Sequence, residues 1–160
     1  MYYLGGESFI RQDFLELVEY TIAQDMGVMI NTNGWFIDSN MAHLLKKLGV
    51  FYVRVSIDGA TEKTHDAIRG VKGSYKKAIT AIENLKNANI PFVSIAPTVM
   101  KDNVHEMGEL IDLAFNLQVS EIQLVQVADT GRADQKHLLT VKDVLTLKEI
   151  VNEKKNRYSP

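Results

Sequence analysis

Five times along this chain an apolar, strand-like run gives way to a stripe of apolar residues at helical spacing. That alternation limits the folds available. Val28 to Thr32 is a short run, and so is Phe92 to Val99. Phe51 to Ile57 is the clearest, with Phe51, Val53, Val55 and Ile57 alternating with Tyr52, Arg54 and Ser56. Tyr2-Tyr3-Leu4 is a stub of a first strand, and Glu121 to Val127 is a last one. Between them, helical spacing appears in Phe14, Leu17, Val18 and Ile22 (13–25). It returns in Met41, Leu44, Leu45 and Leu48, in Tyr75, Ala78, Ile79, Ile82 and Leu85, in Met107, Leu110, Ile111 and Ala114, and in Val144, Leu145, Leu147 and Val151. Successive βα units predict parallel strands joined by right-handed crossovers.

The strand faces choose between an open sheet and a barrel. Central strands of a doubly wound sheet meet helices on both faces and are apolar on both. Here one face carries Tyr52, Arg54, Ser56 and Asp58, and another Ser94, Ala96 and Thr98. Such groups need a wet or liganded side. The expected fold is therefore α/β, a (β/α) barrel or part of one, in a single domain over residues 1–160.

Local signals set the expected boundaries. Gly27 and Gly49 stop the first two helices, the former by taking positive φ. Asn33-Gly34 forms a turn. Residues 60–73 read as a polar linker, after which Ser74 caps a helix. Asn103 with Glu106, and Thr140 with Asp143, have the spacing of capping boxes. The last helix is expected over 138–155.

Composition removes whole classes of function. The 160 residues carry a net charge of −2, which argues against a nucleic-acid footprint. No apolar run approaches the ~20 residues of a membrane helix. No charged-then-apolar leader is visible, so a cytoplasmic location is expected. There is no cysteine, which excludes disulfides, thiolate catalysis and cysteine-ligated metal within these residues. His43, His65, His105 and His137 lie far apart, with no ligand-spaced pair.

In βα folds, ligands bind at the carboxyl ends of the strands. Those ends here are Gly5-Gly6-Glu7, Thr32-Asn33-Gly34, Ser56-Ile57-Asp58-Gly59, Thr98 and Asp129-Thr130-Gly131-Arg132. Adjacent glycines let backbone approach a ligand. Asn-Gly and Asp-Gly also form turns whatever the function. No P-loop and no Gly-x-Gly-x-x-Gly occurs. Glu7, Asp58 and Asp129 are candidate acid–base carboxylates. Arg69 has a guanidinium fork suited to a ligand carboxylate.

The ordered set Gly5-Gly6-Glu7, Thr32-Asn33-Gly34, Val55-Ser56-Ile57-Asp58-Gly59, Thr64-His65-Asp66 and Ile68-Arg69-Gly70 resembles the radical S-adenosylmethionine enzymes. Ser74-Tyr75-Lys76-Lys77-Ala78-Ile79 and Gly131-Arg132-Ala133 extend the resemblance to residues 1–133. The nearest branch looks like the one holding molybdenum-cofactor and pyrroloquinoline-quinone biosynthesis proteins and peptide-maturing enzymes. The resemblance implies a partial barrel of six βα units. It also implies S-adenosylmethionine bound on a four-iron cluster and cleaved reductively to a 5′-deoxyadenosyl radical. Carried onto this chain, it puts Gly5, Gly6 and Glu7 at the methionine amino group. Thr32, Ser56 and Arg69 fall near the ribose or carboxylate, with Asp58 close by, and Leu124 and Val125 beside the adenine through their backbone.

The chain departs from the family in two places. Ser8 stands where the family has proline. The Cys-x-x-x-Cys-x-x-Cys loop that holds the cluster is missing. The expectation is a fragment lacking its first βα unit, inactive alone, and prone to self-association through an exposed N-terminal strand edge. Its small-molecule or peptide substrate is not legible. The competing expectations are a non-catalytic βα binding or scaffold module, and a βα-barrel enzyme using its carboxylates on a small metabolite.

Overall fold

The structure is a computed structural model, and it describes residues 1–128 and 134–158. Its main sheet holds β1 (Tyr2–Tyr3), β2 (Met29–Thr32), β3 (Tyr52–Val55), β4 (Phe92–Ile95) and β6 (Glu121–Ile122), in that order and all parallel. A short second ladder pairs β5 (Thr98–Val99) with β7 (Val125–Gln126). It continues the β4–β6 pairing past Pro97, which has no N–H to donate to a ladder. Each of the two runs read from sequence as one strand is therefore two.

Neighbouring strands follow chain order, with no reversal point. Right-handed crossovers then put the main helices that connect the strands on the same face of the sheet. The other face is left to a lumen, as in a partial barrel, and the polar strand faces look into it. The register lines up Asn31, Arg54, Ser94 and Glu121 across four strands. On the helix side Ile30, Val53, Val55, Val93 and Ile95 are buried, along with Ile82, Leu85 and Leu110 from the helices. Each such side chain contributes about 1.5–3 kcal/mol. A slip of one residue would exchange Ile30, Val53 and Val93 for Asn31, Arg54 and Ser94, so the register is fixed.

The lumen row is bonded within itself. The Tyr52 hydroxyl lies 2.8 Å from Ser94 Oγ and 2.6 Å from Glu121 Oε2. Arg54 donates to the hydroxyls of Tyr52 and Tyr2 and to Ser94. At the open edge, β1 is held by Tyr3, whose hydroxyl reaches the Leu17 carbonyl and Thr21 Oγ1 on α1 (Phe14–Ala23).

Several local expectations are corrected. Gly27 does not take positive φ; Asp25 does, at 60°. A side chain at Gly27 would instead meet the Phe51 ring at 2.9 Å. In α2 (Ser39–Leu48), which ends on left-handed Gly49 as expected, Leu44 is exposed and Ala42 is buried in its place. The expected linker 60–73 contains a helix, α3 (Glu62–Arg69), capped by Thr61 and closed by left-handed Gly70. Its eight residues are too polar to show an apolar stripe. Ser74 does not cap α4 (Ser74–Asn87). Gly73 holds the cap position, and Asp66 on α3 accepts from the Gly73 and Tyr75 N–H groups and the Ser74 hydroxyl.

The Asn103–Glu106 capping box is also absent. Asn103 is fully buried, donates to the carbonyls of Asp58 and Thr98, and accepts from the Met100 N–H. Glu106, just before α5 (Met107–Asn116), accepts from the Ala60 N–H and the Thr64 hydroxyl. Both residues brace the loop after β3. The Thr140–Asp143 box does form, at the start of α6 (Val141–Tyr158). No helix among the described residues is long and apolar enough to cross a membrane.

Candidate functional site

A cleft of about 450 Å³ opens at the carboxyl ends of β1 to β3. Its lining brings together Gly5, Gly6, Glu7, Thr32, Ser56 and Arg69, which sequence reading had drawn from four separate segments. Glu7 and Arg69 are the charged members of that lining.

Each wall is held by identifiable bonds. Gly5 and Gly6 have φ of 91° and 34°, in the region that favours glycine, and a Cβ on either would meet nothing within 4 Å. They form an open cradle. Glu7 follows, and its carboxylate accepts from the Asn33 N–H at 2.7 Å and from the Thr32 hydroxyl at 3.0 Å. Thr32 Oγ1 in turn accepts from the Gly34 N–H. This chain ties the ends of β1 and β2 and fixes where Glu7 presents its charge. Gly34, at φ 83°, packs its backbone within 3.0 Å (measured from an ideal Cβ) of Ala78 on α4. Ser56 continues β3, its N–H donating to the Thr32 carbonyl.

α3 supplies the remaining wall, and its motif Thr64-His65-Asp66 divides the work among three tethers. Thr64 binds Glu106, His65 Nδ1 accepts from the Asp58 N–H at 3.0 Å, and Asp66 caps α4. Burial opposes the charge on Asp66, yet the N–H groups of Tyr75 and Gly73 and the Ser74 hydroxyl outweigh it and hold the carboxyl below its usual range. Burial pushes His65 the other way, below the ordinary histidine value, and nearby Arg69 adds to the effect against Asp58 and Asp66. His65 is therefore a neutral imidazole at pH 7.

Asp58 is not in the lining. It is 2% exposed and sits behind Arg69. One carboxylate oxygen meets Arg69 Nε at 2.6 Å and the other accepts the Thr98 N–H at 2.8 Å. Asp58 thus braces the guanidinium, leaving the Nη groups of Arg69 without a partner among the described residues. Leu124 and Val125 also lie outside the lining; the Val125 N–H donates to the Pro97 carbonyl. Asp129, Gly131, Arg132 and Ala133 fall outside the described residues.

Sequence reading missed Asn31, His65 and Trp35 as lining residues. Asn31 Oδ1 is buried with no hydrogen-bond partner. An unmet buried acceptor costs about 1–3 kcal/mol, so a donor from a bound molecule would relieve it. A larger cavity of about 530 Å³ flanks α3 on the Ile68 side and includes Met100 and His137. Thr64 reaches its lining, but none of the expected cofactor-binding residues does, and its lining is more apolar.

The sequence profile of the Radical SAM superfamily matches residues 1–114. The chain belongs to the radical SAM superfamily. It is 37% identical to mycofactocin maturase MftC of Mycolicibacterium smegmatis over 128 residues, covering 80% of this chain and 32% of that protein. It is 34% identical to an AdoMet-dependent heme synthase of Methanosarcina barkeri over 131 residues, covering 82% of this chain and 37% of that protein. This radical SAM chain therefore spans about a third of the length of the curated relatives it matches.

The fold agrees. Streptococcus suis SuiB superposes with a TM-score of 0.82 at 18% identity, over 99% of this chain and 36% of that one. Native anSMEcpe, with bound AdoMet and Kp18Cys peptide, gives 0.80 at 17% identity, over 99% and 47%. The partial barrel expected from the polar strand faces is thus the fold of known radical SAM enzymes.

The two cofactors that the family implies fare differently on these residues. A zwitterionic adenosyl ligand fits: the cleft has an anion, a cation, an open glycine cradle and an orphan acceptor. A four-iron cluster does not fit. The chain has no cysteine, and no group of three acidic or histidine side chains among the described residues could stand in.

Proposed function

We propose that the cleft is the S-adenosylmethionine site of a radical SAM enzyme. The observation that carries this reading is the pairing of Glu7 and Arg69 as the charged side chains of one cleft. The amino-acid end of S-adenosylmethionine carries an ammonium and a carboxylate side by side, and this pairing matches both. Gly5 and Gly6 with Glu7 take the ammonium. Arg69, held from behind by Asp58, takes the carboxylate through its Nη groups. Ser56 and Thr32 are assigned to the ribose; Leu124 and Val125 lie outside the cleft lining, and their assignment to the adenine rests on the family resemblance alone.

Bound S-adenosylmethionine supplies reductive carbon–sulfur cleavage in this family when a four-iron cluster delivers the electron. This chain's own residues bind and orient the amino-acid end. They supply no ligand for the cluster, so the chain alone binds S-adenosylmethionine without cleaving it. Acid–base chemistry by Asp58 or Glu7 draws no support from the cleft: both oxygens of Asp58 are engaged, and Glu7 is tied to three donors, the N–H groups of Phe9 and Asn33 and the Thr32 hydroxyl.

Calorimetry tests the proposal. The chain should bind S-adenosylmethionine saturably, and Glu7→Gln, which keeps the shape and removes the charge, should weaken binding roughly tenfold or more. Equal affinity in Glu7→Gln would refute the assignment of the ammonium to Glu7. No saturable heat with wild-type chain would refute the site.

A further inference from the structure

One group in the cleft is built and held but has no partner on its open side. His65 is 1% exposed, and its Nδ1 accepts the Asp58 backbone N–H at 3.0 Å. An imidazole nitrogen that accepts an N–H carries no proton itself. The proton of the neutral ring therefore sits on Nε2. Nε2 has no hydrogen-bond partner among the described residues, although His65 lines the cleft. The ring cannot swing away to find one, because it is packed edge-on against Tyr75 at 5.9 Å and anchored at Nδ1.

Helical spacing decides what His65 works with. His65 and Arg69 are four residues apart on α3, so they share one face, and both reach the cleft. That face presents a cation and a neutral N–H donor together. It offers no acceptor, because His65 Nδ1 is used and Arg69 has none. Glu7, the carboxylate of the same cleft, repels a second anion and leaves the α3 face as the place for one.

We propose that His65 donates its Nε2–H to a carboxylate oxygen of the bound ligand, so that α3 holds this group with two side chains, Arg69 by charge and His65 by a fixed neutral donor. This rests on the S-adenosylmethionine reading above and assigns a role to the middle residue of Thr64-His65-Asp66. Neutrality suits the task. A protonated His65 would lose its acceptor at Nδ1, release the Asp58 N–H, and loosen the loop that braces Arg69.

Two substitutions separate the ligand bond from the structural one. In His65→Asn the amide oxygen can take the place of Nδ1 and keep the Asp58 N–H, while nothing reaches the position of Nε2. In His65→Gln the amide nitrogen can take the place of Nε2. The probes are S-adenosylmethionine and its decarboxylated analogue, titrated calorimetrically into wild type and both variants, with circular dichroism and a melting curve for each. His65→Asn should bind S-adenosylmethionine about tenfold more weakly, as expected for a hydrogen bond to a charged group. Its affinity for the decarboxylated analogue should match wild type. His65→Gln should recover most of the difference.

Equal losses for both ligands, or no loss in a folded His65→Asn, would overturn the assignment while leaving the S-adenosylmethionine site standing. A wild-type chain that binds neither ligand would overturn that site and this inference with it. Selective ¹⁵N-histidine NMR on the wild type gives a readout that needs no variant. The Nε2–H tautomer should be present, and its resonance should move with S-adenosylmethionine and stay still with the decarboxylated analogue; an Nδ1–H tautomer would refute the proposal.

Discussion

Asp58→Asn is the substitution that most exposes how the cleft is braced. The wild-type carboxylate serves two donors at once, Arg69 Nε at 2.6 Å and the Thr98 N–H at 2.8 Å. An amide has one oxygen and one NH2. Whichever way it is turned, one of those donors faces another donor. Breaking a fully buried ion pair costs about 3–5 kcal/mol. The Arg69 side chain is 32% exposed and can recover water, which lowers the figure to about 2 kcal/mol. For a chain of this length that corresponds to a fall in melting temperature of about 4–8 °C. Urea melts and calorimetry at neutral pH should show it, and S-adenosylmethionine affinity should fall as well, because Arg69 loses the group that aims it. A variant that melts within about 1 °C of wild type would refute the bracing role and the reasoning behind it.

Other substitutions probe other joints. Gly34→Ala adds a Cβ 3.0 Å from the Ala78 Cα at a φ of 83°, so the strain of the left-handed region and the crowding of α4 add up to about 2–3 kcal/mol, measurable by chemical denaturation. Asn103→Ala removes three hydrogen bonds from a fully buried side chain and strands the carbonyls of Asp58 and Thr98, for a loss of about 3 kcal/mol by the same assay. His65 has a folded pKa below 6.5, so the unfolded chain takes up its proton first; its contribution is intact above pH 6.5 and is lost as pH falls below that value, and His65→Asn should lack this part of the pH dependence of stability. The outer edge of β1 is unpaired in the sheet order, and we propose that it drives concentration-dependent self-association; light scattering that reports a monomer at all concentrations would contradict this.

What could be read from the sequence followed periodicity. Alternation in 51–57 gave β3 and its polar lumen face, and the polar face in turn pointed to a barrel. The strand-end motifs led to six residues that the fold gathers in one cleft. The failures came where partners are distant in sequence. α3 was hidden because its few apolar positions are too sparse to show a stripe, and its stability comes from tethers: Thr64 to Glu106, His65 to Asp58, Asp66 to the start of α4. Asn103 and Glu106 had the spacing of a local cap, yet both bond to the loop after β3, more than 40 residues away. Asp58 looked like a ligand group because it closes a strand-end motif. Only its burial and its two donors reveal a brace. Asn31 was passed over as an ordinary strand residue, and only packing isolates its oxygen.

The central claim is that an adenosyl ligand occupies the cleft framed by Glu7 and Arg69 and not the larger cavity on the Ile68 side of α3. An NMR titration of the ¹⁵N-labelled chain with S-adenosylmethionine tests it most directly. The amides of Gly5, Gly6, Glu7, Asn33, Ser56, His65 and Arg69 should shift together and saturate, while those of Asp102 and His137 stay in place. Saturable shifts confined to Met100, Asp102 and His137, or no saturable shifts at all, would contradict the account.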